Sequence, residues 1–250
     1  MIAVSARLRT FYGWRIVSAT FVLAAFGWGM GFYGPPVFLS VLRETRGWPL
    51  AFISASVTGH FLIGAVTSAN LPAVYRRLGA ATATKAGALC LAAGILGWAN
   101  AEATWQLLVA GVFSGAGWGA MSAAAVNAIV SPWFVRSRPA ALAMAYNGGS
   151  IGGVIFSPLW VGSIRLLGFS HAAAVISLVM LLTVWLLADR LISRTPQQMG
   201  LNPDGDGPTT SATYVICPGA KPLPGPLLWR NRRFVTLSAG MALGLLRRSA

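Results

Sequence analysis

Residues 105–163 constrain this chain more than any other stretch. Two apolar arms, roughly 105–131 and 139–163, carry no Asp, Glu, Lys or Arg and flank the basic turn Ser131-Pro132-Trp133-Phe134-Val135-Arg136-Ser137-Arg138. Each arm is long enough to cross a ~30 Å hydrocarbon core as a helix. Gly111, Gly115 and Gly119 lie four apart on the first arm, and Gly148/Gly152 and Gly149/Gly153 on the second. Small residues at that spacing open a groove in which a neighbouring backbone approaches closely. The stretch therefore predicts two tightly packed membrane helices, joined on a basic side, with these seven glycines as packing and gating positions.

Four further apolar runs complete the pattern: roughly Ile16–Ser40, Leu50–Ala73, Ala80–Asn100 and Ala172–Ala188. Pro35-Pro36 predicts a bend or break near the far end of the first, because proline donates no backbone hydrogen bond. Residues 1–15 read as a short basic lead, 16–189 as a six-helix membrane domain, and 190–233 as a linker without apolar period. Residues 234–250 read as the start of a seventh helix, since Phe234–Leu246 is too short to span. The first run is too long for a signal-peptide core and reads as an uncleaved span.

A chain that is 56% hydrophobic and 10% charged fits a multi-pass membrane protein. Its net charge of +14 would suggest nucleic acid in a soluble protein. Here the basic residues lie between apolar runs and form no aromatic-studded patch, which argues against a nucleic-acid partner. They are a topology signal instead. Arg7, Arg9, Arg15, Arg76, Arg77, Lys85, Arg136, Arg138, Arg190, Arg194, Lys221, Arg230, Arg232 and Arg233 fall on one side, and Arg43, Arg46 and Arg165 on the other. The positive-inside rule places the first set, and with it the N-terminus, in the cytoplasm of a cell (inner) membrane protein. Cys90 and Cys217 would lie at different depths, so no disulfide is expected, and no metal-ligand spacing occurs. No nucleophile, base and acid converge, so no catalytic residue, enzyme activity or cofactor is expected.

The chain also echoes itself. Displaced by ninety positions, Gly27-Trp28-Gly29 falls on Gly117-Trp118-Gly119, Pro49 on Pro139 and Gly59 on Gly149. Displaced by one fewer, Gly64 meets Gly153 and Arg76-Arg77-Leu78-Gly79 meets Arg165-Leu166-Leu167-Gly168. Three spans per unit is an odd number, so the second unit is inverted, as in many secondary transporters.

Several motifs resemble the major facilitator superfamily, and within it the monocarboxylate and oxalate–formate porters. They are Phe11-Tyr12-Gly13-Trp14-Arg15, Phe32-Tyr33-Gly34, Arg46-Gly47-Trp48-Pro49, Asn127-Ala128-Ile129-Val130-Ser131-Pro132-Trp133-Phe134, Arg138-Pro139-Ala140-Ala141-Leu142-Ala143, Gly148-Gly149-Ser150-Ile151-Gly152-Gly153 and Met199-Gly200-Leu201-Asn202-Pro203-Asp204-Gly205. The resemblance implies a twelve-helix transporter in two halves, of which this chain holds the first and a partial seventh helix, as in a truncated product. It implies alternating access and transport of a small organic anion, with a proton or counter-anion as coupling partner. The superfamily's turn between helices two and three carries an acid where this chain has Arg76; Arg77 and Gly79 still match. The rival expectation is a non-transporting six-helix remnant or scaffold that needs a second half, another chain or self-association.

Three polar residues stand out as substrate-binding candidates, each with a packing alternative. Tyr33, before Gly34-Pro35-Pro36, would orient an anion in the outer cavity or serve as an interfacial belt residue. His60, near mid-span, would couple protons or stay neutral in an interhelical hydrogen bond. Asn127 continues the row Gly111, Gly115, Gly119, Ala123 and would donate to a carboxylate or to a neighbouring helix. On the basic turns, Arg76, Arg77, Gly79, Arg136 and Arg138 read as topology markers or gating contacts, and Trp133 and Phe134 as belt anchors.

Overall fold

The computed structural model describes residues 11–205 and the single position Thr236. The basic lead before Phe11, Cys217, the rest of the linker and, apart from Thr236, the expected seventh-helix start lie outside the described residues. Within them the protein is an all-α membrane protein with six helices long and apolar enough to cross a bilayer. Span one is α1 (Tyr12–Gly31) with α2 (Gly34–Arg46), span two α3 (Leu50–Leu78) and span three α4 (Ala80–Asn100). Span four is α5 (Thr104–Ala120) with α6 (Ala123–Val130), span five α7 (Arg138–Leu167) and span six α8 (Phe169–Leu187), which continues as a π-helical turn, Ala188–Ile192.

The helices run past the apolar limits read from the sequence. Arg43, Arg46, Arg76, Arg77 and Arg165 sit in last helical turns, where a cation complements the free carbonyls. The turn expected over Arg165–His171 shrinks to one residue, Gly168, and that between spans two and three to Gly79. Both adopt the same positive-φ conformation (φ 79 and 78), which suits glycine and reverses the chain in a single step. Their equal geometry, 89 positions apart, is the repeat at its plainest.

Packing repeats as well. Gly148 and Gly152 of span five receive the backbone of span one at Phe21 and Ala25, and Gly29 of span one faces Phe156. At the second contact between the two units, Gly111, Gly115 and Gly119 of span four face Ser56, His60 and Gly64 of span two. Adding 90 to Phe21, Ala25 and Gly29, and subtracting 92 from their span-five partners, turns the first set into the second. The glycine matches in the sequence, at 90 and 89, thus lie two or three positions from the contact register in spans two and five. Gly149 and Gly153 serve differently: they receive the rings of Trp28 and Tyr33. Spans three and four also pack extensively, with Gly94 and Gly117 against the Ser114 and Leu91 backbones.

Candidate functional site

Spans one and four both break, at equivalent places. A helical carbonyl accepts from the N–H four residues on. Gly31 would need that of Pro35, which has none, so its carbonyl is left free. Tyr33 N–H turns back to the Trp28 carbonyl (2.9 Å) rather than to Gly29, which frees Gly29 as well. Side chains from other spans take both: His60 Nε2 bonds Gly31 O (2.8 Å), and Trp160 Nε1–H donates to Gly29 O (3.3 Å). Ninety residues on, α5 ends at Ala120, and Ser122 caps α6 through Ala124 N–H (3.3 Å). Ser68 of span two donates to Gly119 O (3.2 Å) and bonds the Ser122 hydroxyl (2.9 Å). Gly29 and Gly119 are repeat mates, and each break is stapled by a neighbouring span.

His60 is the centre of the first staple. It is wholly buried. A carbonyl only accepts, so Nε2 carries the hydrogen, and in the neutral ring Nδ1 is then an acceptor. Ser114 Oγ, 2.8 Å away, supplies the hydrogen, and Trp98 Nε1–H donates to the same Oγ at 3.0 Å. The chain Trp98→Ser114→His60→Gly31 therefore ties spans three, four, two and one with every member satisfied, as a buried network requires. The ring lies near-parallel to Trp118 (29°, 5.9 Å) and meets the edge of Phe61 (4.9 Å). Both nitrogens are engaged by protein, in the interhelical arrangement that is one of the two expectations for His60.

Tyr33 sits at the break itself, half-buried, its ring over Gly153 and edge-on to Phe32 (5.1 Å). Phe32, 42% exposed, stacks on Trp118 (6.4 Å). Tyr33, Phe32, Phe61 and Trp118 form one aromatic surface, and the Trp118 indole N–H has no partner among the described residues. Asn127 leaves the glycine row but keeps its packing alternative, a side-chain hydrogen bond to a neighbouring helix at Tyr146 of span five. The break at Met121–Ser122 ends the glycine row, so Asn127 is exposed beside Tyr146, whose hydroxyl donates to Ala123 O (3.2 Å), rather than in the span-two groove. The structure therefore does not gather the three candidates into one site. Trp98, Ser114, Trp118, Ser68 and Trp160 were missed, because their partners are distant in the chain.

The turn between spans four and five is an anchored structure. Trp133 and Phe134 are buried, not belt anchors: Phe11, Tyr12 and Trp14 cover them at ring separations of 5.1–6.3 Å. Arg138 caps the turn, donating to Phe134 O (2.9 Å) and Ser131 O (3.2 Å). Asp204, from the linker, accepts the backbone N–H groups of Val135, Arg136 and Ser137 at 2.8–3.1 Å. Partial desolvation alone would raise its pKa; these N–H groups outweigh it and hold the carboxyl below the ordinary value of 3.8. A depressed folded-state pKa means the latch stabilises fully above the unfolded value and is lost as pH falls through the folded one. Thermal stability should therefore be flat in this respect from neutral pH to about 5 and fall in stronger acid. Asp204→Ala should cost about 0.5–2 kcal/mol at pH 7, as loss of a helix cap does, and should blunt that acid limb.

Comparison with protein-family models and with curated proteins gives no match.

Proposed function

We propose that this protein is a secondary transporter of the major facilitator type, in which the six described spans rock as one half around a central cavity. The carrying observation is the pair of stapled breaks at repeat-equivalent positions in spans one and four. Broken helices paired across inverted units are the feature on which transporter sites and alternating access are built. The glycine grooves support the same reading: they bring spans one and five, and two and four, into close backbone contact, so that the two three-span units can move as one half. Rocking needs a facing six-span body, supplied by a second half or a second copy. The arginine-rich ends face the cytoplasm in this reading.

The cargo is a small organic anion, driven by a proton or a counter-anion, as the motif resemblance implies. Tyr33 offers a neutral donor to it. Asn127 is exposed on span four beside Tyr146, and His60 holds the hinge. Gradient-driven uptake of lactate, formate and oxalate into proteoliposomes tests this, for the full chain alone and joined to the second half of a monocarboxylate porter. Uptake above protein-free vesicles in either form is expected; none in both forms overturns the reading. Where uptake is seen, Tyr33→Phe should raise KM by roughly tenfold or more, the value of one hydrogen bond to a charged group, with thermal stability unchanged.

A further inference from the structure

At the arginine-rich end two cavities of ≈ 380 and ≈ 900 Å³ share Tyr12, Arg15 and Arg194 in their walls. Arg190 and Asp189 complete the smaller one. Its fold is fixed by the sequence on either side. The Tyr12 hydroxyl donates to the Arg190 carbonyl (3.2 Å), tying the first turn of α1 to the π-helical turn after α8. Arg15 lies over the Tyr12 ring (5.5 Å). The acid in the wall, Asp189, is ion-paired with Lys85 of span three. Among the described residues no carboxylate pairs with Arg15, Arg190 or Arg194. Three exposed arginines thus line one concavity whose single acid is already engaged by Lys85, a charge pattern suited to an anion held by guanidinium groups.

The cavity adjoins an exposed apolar surface. Leu178, Leu182 and Leu186 are exposed and four apart on α8, and Arg190 follows one turn on, in the π-helical continuation. Trp185, beneath Lys85 (4.9 Å), is part of the same exposed flank. A ligand with a phosphate in the cavity and alkyl chains along this row satisfies both surfaces. The geometry points to a binding site for an anionic glycerophospholipid: Arg15, Arg190 and Arg194 hold the headgroup phosphate, and Leu178, Leu182 and Leu186 seat an acyl chain. Basic pockets between membrane helices recognise such headgroups, with each cation near the surface strengthening the attraction. The inference rests on the membrane fold and not on the transport reading.

The test is native mass spectrometry of the full chain in mild detergent with phosphatidylglycerol or phosphatidylcholine added. The wild type should retain phosphatidylglycerol in preference. The triple variant Arg15→Gln/Arg190→Gln/Arg194→Gln should lose that preference by about tenfold or more. Triple lysine replacement should keep most of it, and Arg165→Gln, on the opposite side, all of it. If the glutamine variant does not fold, single Arg194→Gln and the lysine triple carry the comparison. Equal retention of both lipids by the wild type overturns the proposal, as does full preference in Arg194→Gln and the glutamine triple. Displacement of the lipid by equimolar inorganic phosphate also overturns it, since the cavity would then read the phosphate alone.

Discussion

Leucine at Gly115 or at Gly152 is expected to be among the most damaging single changes in the described chain. A Cβ at Gly115 would press on the His60 carbonyl, and one at Gly152 on that of Ala25. Both obstacles are helix backbone, which cannot swing aside as a side-chain tip does. The two spans must separate, opening one of the two helix pairs that join the three-span units. Overpacking a well-packed site costs about 1–3 kcal/mol and sometimes more; a branched side chain against immovable backbone belongs at the upper end. Gly162 is the matched control, since nothing lies within 4 Å of a Cβ there. Thermal unfolding in detergent should show Gly115→Leu and Gly152→Leu destabilised, or aggregated on expression, with Gly162→Leu near wild type. Equal stabilities would mean that the interfaces are not packed backbone to backbone.

His60→Ala should follow closely in severity. It deletes the link between Ser114 and the Gly31 carbonyl, leaving a free acceptor at the break and a cavity beside Trp118. An unsatisfied buried polar group costs roughly 1–3 kcal/mol, and the lost packing adds to it, for about 2–4 kcal/mol together. His171→Ala, at an exposed position, should stay within about 0.5 kcal/mol. A direct readout of the hydrogen-bond chain is the tautomer. Nitrogen-15 chemical shifts of the His60 ring should report hydrogen on Nε2 alone; hydrogen on Nδ1 would contradict the order Trp98→Ser114→His60→Gly31. Because span one is held at its break by this link, the variant should also expose Phe32 and Tyr33 to faster hydrogen exchange than the rest of α1.

The six spans and the small-residue rows were legible because length, charge and spacing are local properties. Gly79 and Gly168 were legible as a repeat, though not as single-residue turns, since helices gain from continuing as far as arginines can reach the interface. The span-one break was placed at Pro35-Pro36, three residues late. A proline frees the carbonyl four positions earlier, so Pro35 marks Gly31, and that arithmetic could have found it. The span-four break has no proline. Its mark is Ser122 as a helix cap among small residues, a weak signal inside an apolar run. The staples were not legible at all: nothing near His60 in the chain names Gly31 or Ser114, and Trp160 finds Gly29 across 131 positions. Asn127 was misplaced because helical periodicity was carried through a break, after which residue spacing no longer reports the same face. Trp133 and Phe134 were misread because belt aromatics and buried aromatics look alike until Phe11, Tyr12 and Trp14 are seen to close over them.

The staples themselves have an electrical consequence. Indole, hydroxyl, neutral imidazole and peptide carbonyl make up the clasps at Gly29, Gly31 and Gly119, so none carries net charge through the bilayer's field. Membrane voltage does work of roughly 2.3 kcal/mol per elementary charge per 100 mV, and on uncharged clasps it has almost no lever. Opening or closing them should proceed at the same equilibrium in polarised and depolarised vesicles, leaving voltage to act only on whatever ion enters from outside.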